Sequence, residues 1–103
     1  MKSILQDKKE CYFSRMVETD YTHLDKHHIF YGTGNRKISE QNGFWVWLEH
    51  LHHIQESPFK TPHNDKKTDL YLKRKCQEKF EETHTRDDFM SLIGRNYLEE
   101  REQ

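Results

Sequence analysis

The apolar positions of this chain are few and come in short groups, and each group suggests an element. Asn42-Gly43 is a turn signal that leads into Phe44-Trp45-Val46-Trp47-Leu48, an aromatic and β-branched run that reads as a strand. Alternation places Phe44, Val46 and Leu48 on one side and Trp45 and Trp47 on the other. Both sides are apolar, so the strand should be covered on two faces. Residues 11–31 read as extended, with one apolar run at Cys11-Tyr12-Phe13 and another from Leu24 to Tyr31 that contains the polar pair His27-His28. Gly32-Thr33-Gly34-Asn35 is loop chemistry inside a long connection to the second strand. Glu49 to Gln55 resembles the opening of a helix. Ser57-Pro58 and Thr61-Pro62 then punctuate the chain, because the residue before a proline is biased away from helix. A long helix is expected from about Lys66 to Glu82, with Leu72, Cys76 and Phe80 in one apolar stripe. Trp45, Trp47 or both should pack between the second strand and this stripe. Thr85-Arg86-Asp87-Asp88 has the form of a capping box, Phe89, Leu92 and Ile93 give the next helix its face, and Gly94 ends it. Asn96 to Gln103 reads as a tail.

Composition narrows the picture. The chain has 103 residues, enough for one domain, and its 32 % hydrophobic content with no alanine makes a thin core. The aromatics, at 13 %, must therefore supply much of the buried area. No apolar run approaches a membrane span of about 20 residues, and Met1 to Glu10 is too polar for a secretory segment. A cytoplasmic protein without a membrane association is the expectation. Cys11 and Cys76 read as reduced, partly buried thiols. The formal net charge is −1, so the whole chain is no magnet for nucleic acid. Charge is uneven, however: residues 60–75 hold six basic and two acidic side chains, and residues 76–103 hold four basic and eight acidic. The plain reading of both is a solvated helical face. The functional reading is a patch of Lys66, Lys67, Lys73, Arg74 and Lys75 for nucleic acid or a protein partner, with an acidic flank.

Histidine is the informative residue. Seven of the eight histidines lie between residues 23 and 63. His23, His27 and His28 surround the first strand, His50, His52 and His53 the strand-to-helix junction, and His63 lies ten residues further on. Imidazole is the commonest metal ligand, and clusters on separate elements can converge on one ion. Adjacent strand residues face opposite ways, so His27 and His28 cannot both hold one ion in simple geometry. One can ligate while its neighbour acts as a general base, as a metal-assisted hydrolase requires.

His27-His28-Ile29 on a strand, a Gly-rich loop, a second strand and histidines at a helix start resemble the HNH, or ββα-metal, endonuclease motif. The stretches His28-Ile29-Phe30-Tyr31-Gly32-Thr33-Gly34-Asn35-Arg36-Lys37, Phe80-Glu81-Glu82-Thr83-His84 and Ile93-Gly94-Arg95-Asn96-Tyr97-Leu98 are similar to small HNH-like proteins of phages and prophages of Gram-positive bacteria. The resemblance implies an α+β fold. Its ββα-metal core, a short β-hairpin plus helix, would span residues 10–64, and C-terminal helices would span 65–98. It maps the metal ligand onto His27 and the water-activating base onto His28. The helix-borne ligand falls on His53, or on His52 if the register slips by one, and a further ligand falls on His63. Asn42 is placed where the middle Asn of the motif would orient the base. Zinc is the preferred ion. The chain also departs from the pattern: the structural zinc site of many relatives, Cys-x2-Cys with Cys-x2-His, reads here as Cys11 and Ser14 with Glu49 and His52, a poor donor set.

Three activities compete on these residues. One is a metal-dependent HNH endonuclease cutting DNA. The second keeps the metal as a structural staple and acts without catalysis, by binding a host defence nuclease in the manner of an anti-CRISPR inhibitor of a Cas effector. This rests on the phage resemblance by analogy, and the acidic C-terminal segment suits a basic nucleoprotein. The third is a DNA-binding accessory factor, which the net charge disfavours. On the sequence the non-catalytic reading is preferred, with the endonuclease as its alternative.

Overall fold

The computed structural model describes residues 1–98, so the acidic residues Glu99, Glu100 and Glu102 and the end of the expected tail lie outside the described residues. Strand β1 (Leu24–His28) pairs antiparallel with β2 (Trp45–Glu49), with Leu24 opposite Glu49 and His28 opposite Trp45. Helices α1 (Asn35–Asn42), α2 (Lys66–Phe80) and α3 (Arg86–Ile93) complete a small α+β fold. Of the expected extended stretch 11–31 only β1 forms a strand. Residues 11–16 instead make a tight turn in which Arg15 N–H bonds to the Cys11 carbonyl and Arg15 takes φ 66°.

Helix α1 occupies what reads as loop in the sequence. Its flanking glycines hold left-handed backbone, Gly34 at φ 81° and Gly43 at φ 73°. The Asn42-Gly43 turn signal therefore ends a helix, in keeping with glycine's role as a C-terminal stop. Any side chain at Gly43 would run into the Lys2 carbonyl. Ser39 fastens the helix to the chain just after β1: its buried hydroxyl donates to the Phe30 carbonyl at 2.6 Å and accepts from the Phe30 N–H at 3.1 Å.

Directly paired residues of an antiparallel ladder share a face, so Asp25, His27, Val46 and Leu48 lie on one side of the sheet and Lys26, His28, Trp45 and Trp47 on the other. Val46 and Leu48, with Phe44 just before them, join Leu72, Cys76, Phe80 and Phe89 in the core. The tryptophans are not sandwiched against α2. They lie on the opposite face, where Trp45 Nε1 donates to the Met1 carbonyl and the Lys26 and Lys9 ammonium groups sit over the two rings. The N-terminal segment also seals the free edge of β2: Trp47 N–H donates to Gln6 Oε1 and Tyr12 N–H to the Trp47 carbonyl. Covering an edge in this way blocks pairing with another chain.

The helix expected over 49–55 is a 3-10 turn, His50–His52. A continuing helix would bond the Leu51 carbonyl to a later N–H, but the Ser57 hydroxyl takes that carbonyl. The loop then runs irregularly through Pro58 and Pro62 to α2, held by Thr61 Oγ1 on the Ile54 carbonyl and by Asn64 Nδ2 on the Phe59 carbonyl at 2.9 Å. Helix α2 starts on Asp65, whose carboxylate accepts from Thr68 N–H at 3.0 Å. Its stripe of Leu72, Cys76 and Phe80 is buried, and it ends at Phe80, two residues before the expected Glu82. The Thr85–Asp88 capping box and the Gly94 stop frame α3. No helix among the described residues is long and apolar enough to cross a membrane.

Candidate metal centre

Three chain segments bring histidines together. His27 lies on the inner face of β1 and is 1 % exposed. His53 comes directly after the 3-10 turn, and His63 stands in the loop before α2, where its N–H bonds to Thr61 Oγ1 at 3.2 Å. One ring nitrogen from each lies within 4.8 Å of the others, close enough to hold a single metal ion. Among the described residues no other set of three His, Cys, Asp or Glu donors meets that spacing.

The orientation of His53 is set by Asp25. Its Nδ1 lies 2.9 Å from Asp25 Oδ2, which places the proton on Nδ1 and leaves the Nε2 lone pair facing His63 Nε2 at 3.3 Å. Asp25 also receives His50 Nδ1 at 2.9 Å and sits 3.1 Å from His23 Nε2. Burial works against its charge, but the bonds from His53 and His50 prevail and hold the carboxyl below its usual range. His27 is different: its Nε2 is buried with no hydrogen-bond partner. Burial, and then the neighbouring His53 and His63, push its pKa down to about 2, so it stays neutral with a lone pair to offer. The His63 pKa is also lowered, by burial first and then by His53, with Asp69 opposing and Arg36 assisting.

The trio opens on a cavity of about 340 Å³, lined also by Lys26, His28, Tyr31 and Arg36. Tyr31 donates its hydroxyl to Asp69 Oδ1 at 3.2 Å, and Asp69 in turn pairs with Lys73 at 2.7 Å. Burial and the Asp69 charge push the Tyr31 phenol up to about 12, so it remains a neutral wall of the site. His28 reaches the cavity from the end of β1 and binds Glu40 Oε1 through Nε2 at 2.7 Å. That bond holds the Glu40 carboxyl below its usual range.

Other residues singled out in the sequence lie elsewhere. His52 stands 3.6 Å from Glu49 and stacks on Phe59, outside the trio. Cys11, Glu49 and His52 form no donor cluster, although Ser14 N–H still points at Cys11 Sγ across the knuckle-like turn. Asn42 does not meet His28. Its side chain caps the Ile38 carbonyl in the last turn of α1, and the contact expected of it is made by Glu40, two residues earlier on α1. The basic run of α2 is not one patch. Lys73 turns to Asp69 beneath the site, Arg74 Nε bonds to the Tyr97 carbonyl, Lys75 leans over Tyr71, and Lys66 and Lys67 are exposed at the start of the helix. The helical period sets Lys66 and Lys73 on one side of α2, while Lys67, Arg74 and Lys75 line a separate surface hollow.

Asp25 and Glu40 are the residues that sequence reasoning missed. Asp25 carried a usable signal, since a residue two before His27 on a strand must share its face. Glu40 carries none, because no hydrophobic period marks α1 in the sequence. Comparison with protein-family models, curated proteins and solved structures finds no match to this chain. Fold and site together define a small α+β protein with a candidate three-histidine metal centre.

Proposed function

We propose that this chain is a metal-dependent phosphodiester hydrolase of HNH type acting on nucleic acid. The observation that carries this reading is the buried, unpartnered Nε2 of His27, set between two further imidazoles on a cavity that His28 also lines. An orphaned buried nitrogen is costly unless something binds it. Three imidazoles with an open side match the ligand pattern of catalytic zinc, the ion best suited to this set. When bound there, such an ion supplies Lewis acidity to a phosphoryl oxygen. The chain order of strand, short helix α1, strand, histidine-bearing turn and helix is similar to the ββα-metal arrangement, with α1 inserted between the strands and the 3-10 turn and loop in place of the first helical turns.

The remaining chemistry falls to the protein. Glu40 fixes the proton of His28 on Nε2, so Nδ1 carries the lone pair and can take a proton from the attacking water. The imidazolium that results is stabilised by the same carboxylate. Asp25 keeps His53 in the tautomer that faces the trio, and Tyr31 with His63 walls the cavity from the α2 side.

The non-catalytic reading, capture of a Cas-type host nuclease, leans on the acidic C-terminal segment. Some of its described acids have local duties: Glu81 binds Arg86 and Gln77, and Asp88 closes the capping box of α3. The His28–Glu40 pair, by contrast, stands where hydrolysis would use it, and this favours the enzyme. The test is elemental analysis of the purified chain, then plasmid nicking with Mg²⁺, Mn²⁺, Ni²⁺ or Zn²⁺. Bound metal and nicking that His28→Ala abolishes are the expected results. Intact plasmid with every ion, or equal nicking by His28→Ala, would defeat the reading.

A further inference from the structure

Among the described residues Arg36 is a cation without a hydrogen-bond or ion-pair partner. It lines the histidine cavity, yet its guanidinium makes no hydrogen bond or ion pair with any described residue. Its position is also electrostatically unfavourable. Arg36 and Lys37 occupy the first turn of α1, which has no acidic residue and no side-chain cap, so two positive charges sit against the positive end of the helix dipole. Glu40, one turn further along α1, is engaged by Lys26 and His28. The cavity itself points to a ligand, through the buried and unpartnered His27 Nε2. From it a shallow groove continues along α1, sharing His28 and Arg36 and reaching Gly34, Lys37 and Glu40, whose carboxylate is turned to His28 and Lys26. Lys37 likewise makes no ion pair with a described residue. The other cation of the cavity, Lys26, is held between Glu40 and the Trp45 ring.

We propose that Arg36, with Lys37 next to it along the groove, grips the phosphodiester backbone of a nucleic acid whose neighbouring phosphate lies in the histidine cavity. The chemical class of the ligand rests on the hydrolase reading above. The binding role of Arg36 is separable from it, because the grip needs no turnover. A planar guanidinium suits a phosphate through paired N–H donors, and the α1 dipole adds attraction for the same anion. An anion there would offset the repulsion within the first turn, which explains why the fold tolerates Arg36 and Lys37 at this place.

The experiment uses the full chain in excess EDTA, so that no cleavage occurs, and measures binding of a short fluorescein-labelled DNA duplex by anisotropy across a salt series. Arg36→Ala should bind roughly tenfold more weakly. Its plot of log affinity against log salt should be shallower by about 0.9, the loss of one phosphate contact. Arg36→Lys should keep the salt slope and lose part of the affinity, since it retains charge without the planar fork. Lys79→Ala, at the far end of α2 beside Glu82, should bind like the wild type. The melting temperature of Arg36→Ala should equal or exceed that of the wild type, because a cation is removed from a helix N-terminus. The inference is overturned if the wild-type chain does not bind the duplex at low salt, or if Arg36→Ala keeps its affinity and slope. It is equally overturned if Lys79→Ala loses as much, or if Arg36→Ala melts lower and so assigns Arg36 to the fold. Nicking assays run in parallel separate the two ideas. Nicking with undiminished binding by Arg36→Ala sinks the grip and spares the hydrolase, and Arg36-dependent binding without nicking does the reverse.

Discussion

Replacing Asp25 with Ala removes the acceptor of the 2.9 Å bond from His53 Nδ1 and of the equal bond from His50. Neither bond is a metal contact, so the effect on metal affinity has to be worked out as a difference between two states. With the trio empty, the His53 ring meets a carboxylate through its Nδ1–H. With an ion on Nε2, the ring carries positive charge and the same bond strengthens. Only that increment enters the affinity, together with the freedom His53 gains to turn or to move its proton to Nε2, where it would block the ligand. Outer carboxylates of this kind are typically worth 10–100-fold in metal affinity, about 1.4–2.8 kcal/mol. Asp25→Ala should therefore bind zinc about 10–100 times more weakly than the wild type in competition with a chromophoric chelator. Asp25→Asn, whose amide oxygen still accepts one N–H, should fall between the two. Removing the trio member itself, in His53→Ala, sets the upper limit of the loss. If Asp25→Ala holds zinc within about twofold of wild type, a carboxylate that orients a ligand is the wrong description, since such partners are expected to matter by at least tenfold.

Burial of His27 and of Phe80 leads to two predictions about stability. The His27 pKa falls from 6.5 to about 2 on folding, chiefly through burial, so the unfolded chain binds a proton that the folded one refuses. Metal-free stability should therefore drop as pH falls below about 6.5, with a slope approaching 1.4 kcal/mol per pH unit from this group. His63 shifts in the same direction and adds to the loss. Urea midpoints that are equal at about pH 7.5 and 5.5 would contradict a neutral buried His27. In the core, Phe80 is 7 % exposed, meets Phe44 edge-on at 5.4 Å and stacks on His84 at 4.2 Å. Phe80→Ala should cost roughly 3–5 kcal/mol in chemical denaturation, and a loss below about 1 kcal/mol would mean that the end of α2 is not docked on this cluster.

What the chain alone determined was the local grammar. The Leu72–Cys76–Phe80 stripe, the Thr85–Asp88 capping box and the strand at Trp45–Glu49 arise from spacing and propensity, because their patterns are satisfied by neighbours three, four or two positions away. The opposition of His27 and His28 across β1 arises in the same way, and so does the overlooked companionship of Asp25 with His27. Tertiary structure decided whatever depends on distant partners. Helix α1 forms because two left-handed glycines bound it and Ser39 ties it to Phe30, and none of this has a hydrophobic period to announce it. The expected helix after β2 stops at three residues because Ser57 takes the Leu51 carbonyl from a position beyond the turn. Trp45 and Trp47 face the N-terminal segment and not α2, since strand alternation names two faces but cannot say what covers each. The convergence of His27, His53 and His63, and the pairing of His28 with Glu40, belong to this second kind. Ligand types can be counted along a chain, but the few ångströms between their nitrogens are set by how strand, turn and loop pack against one another.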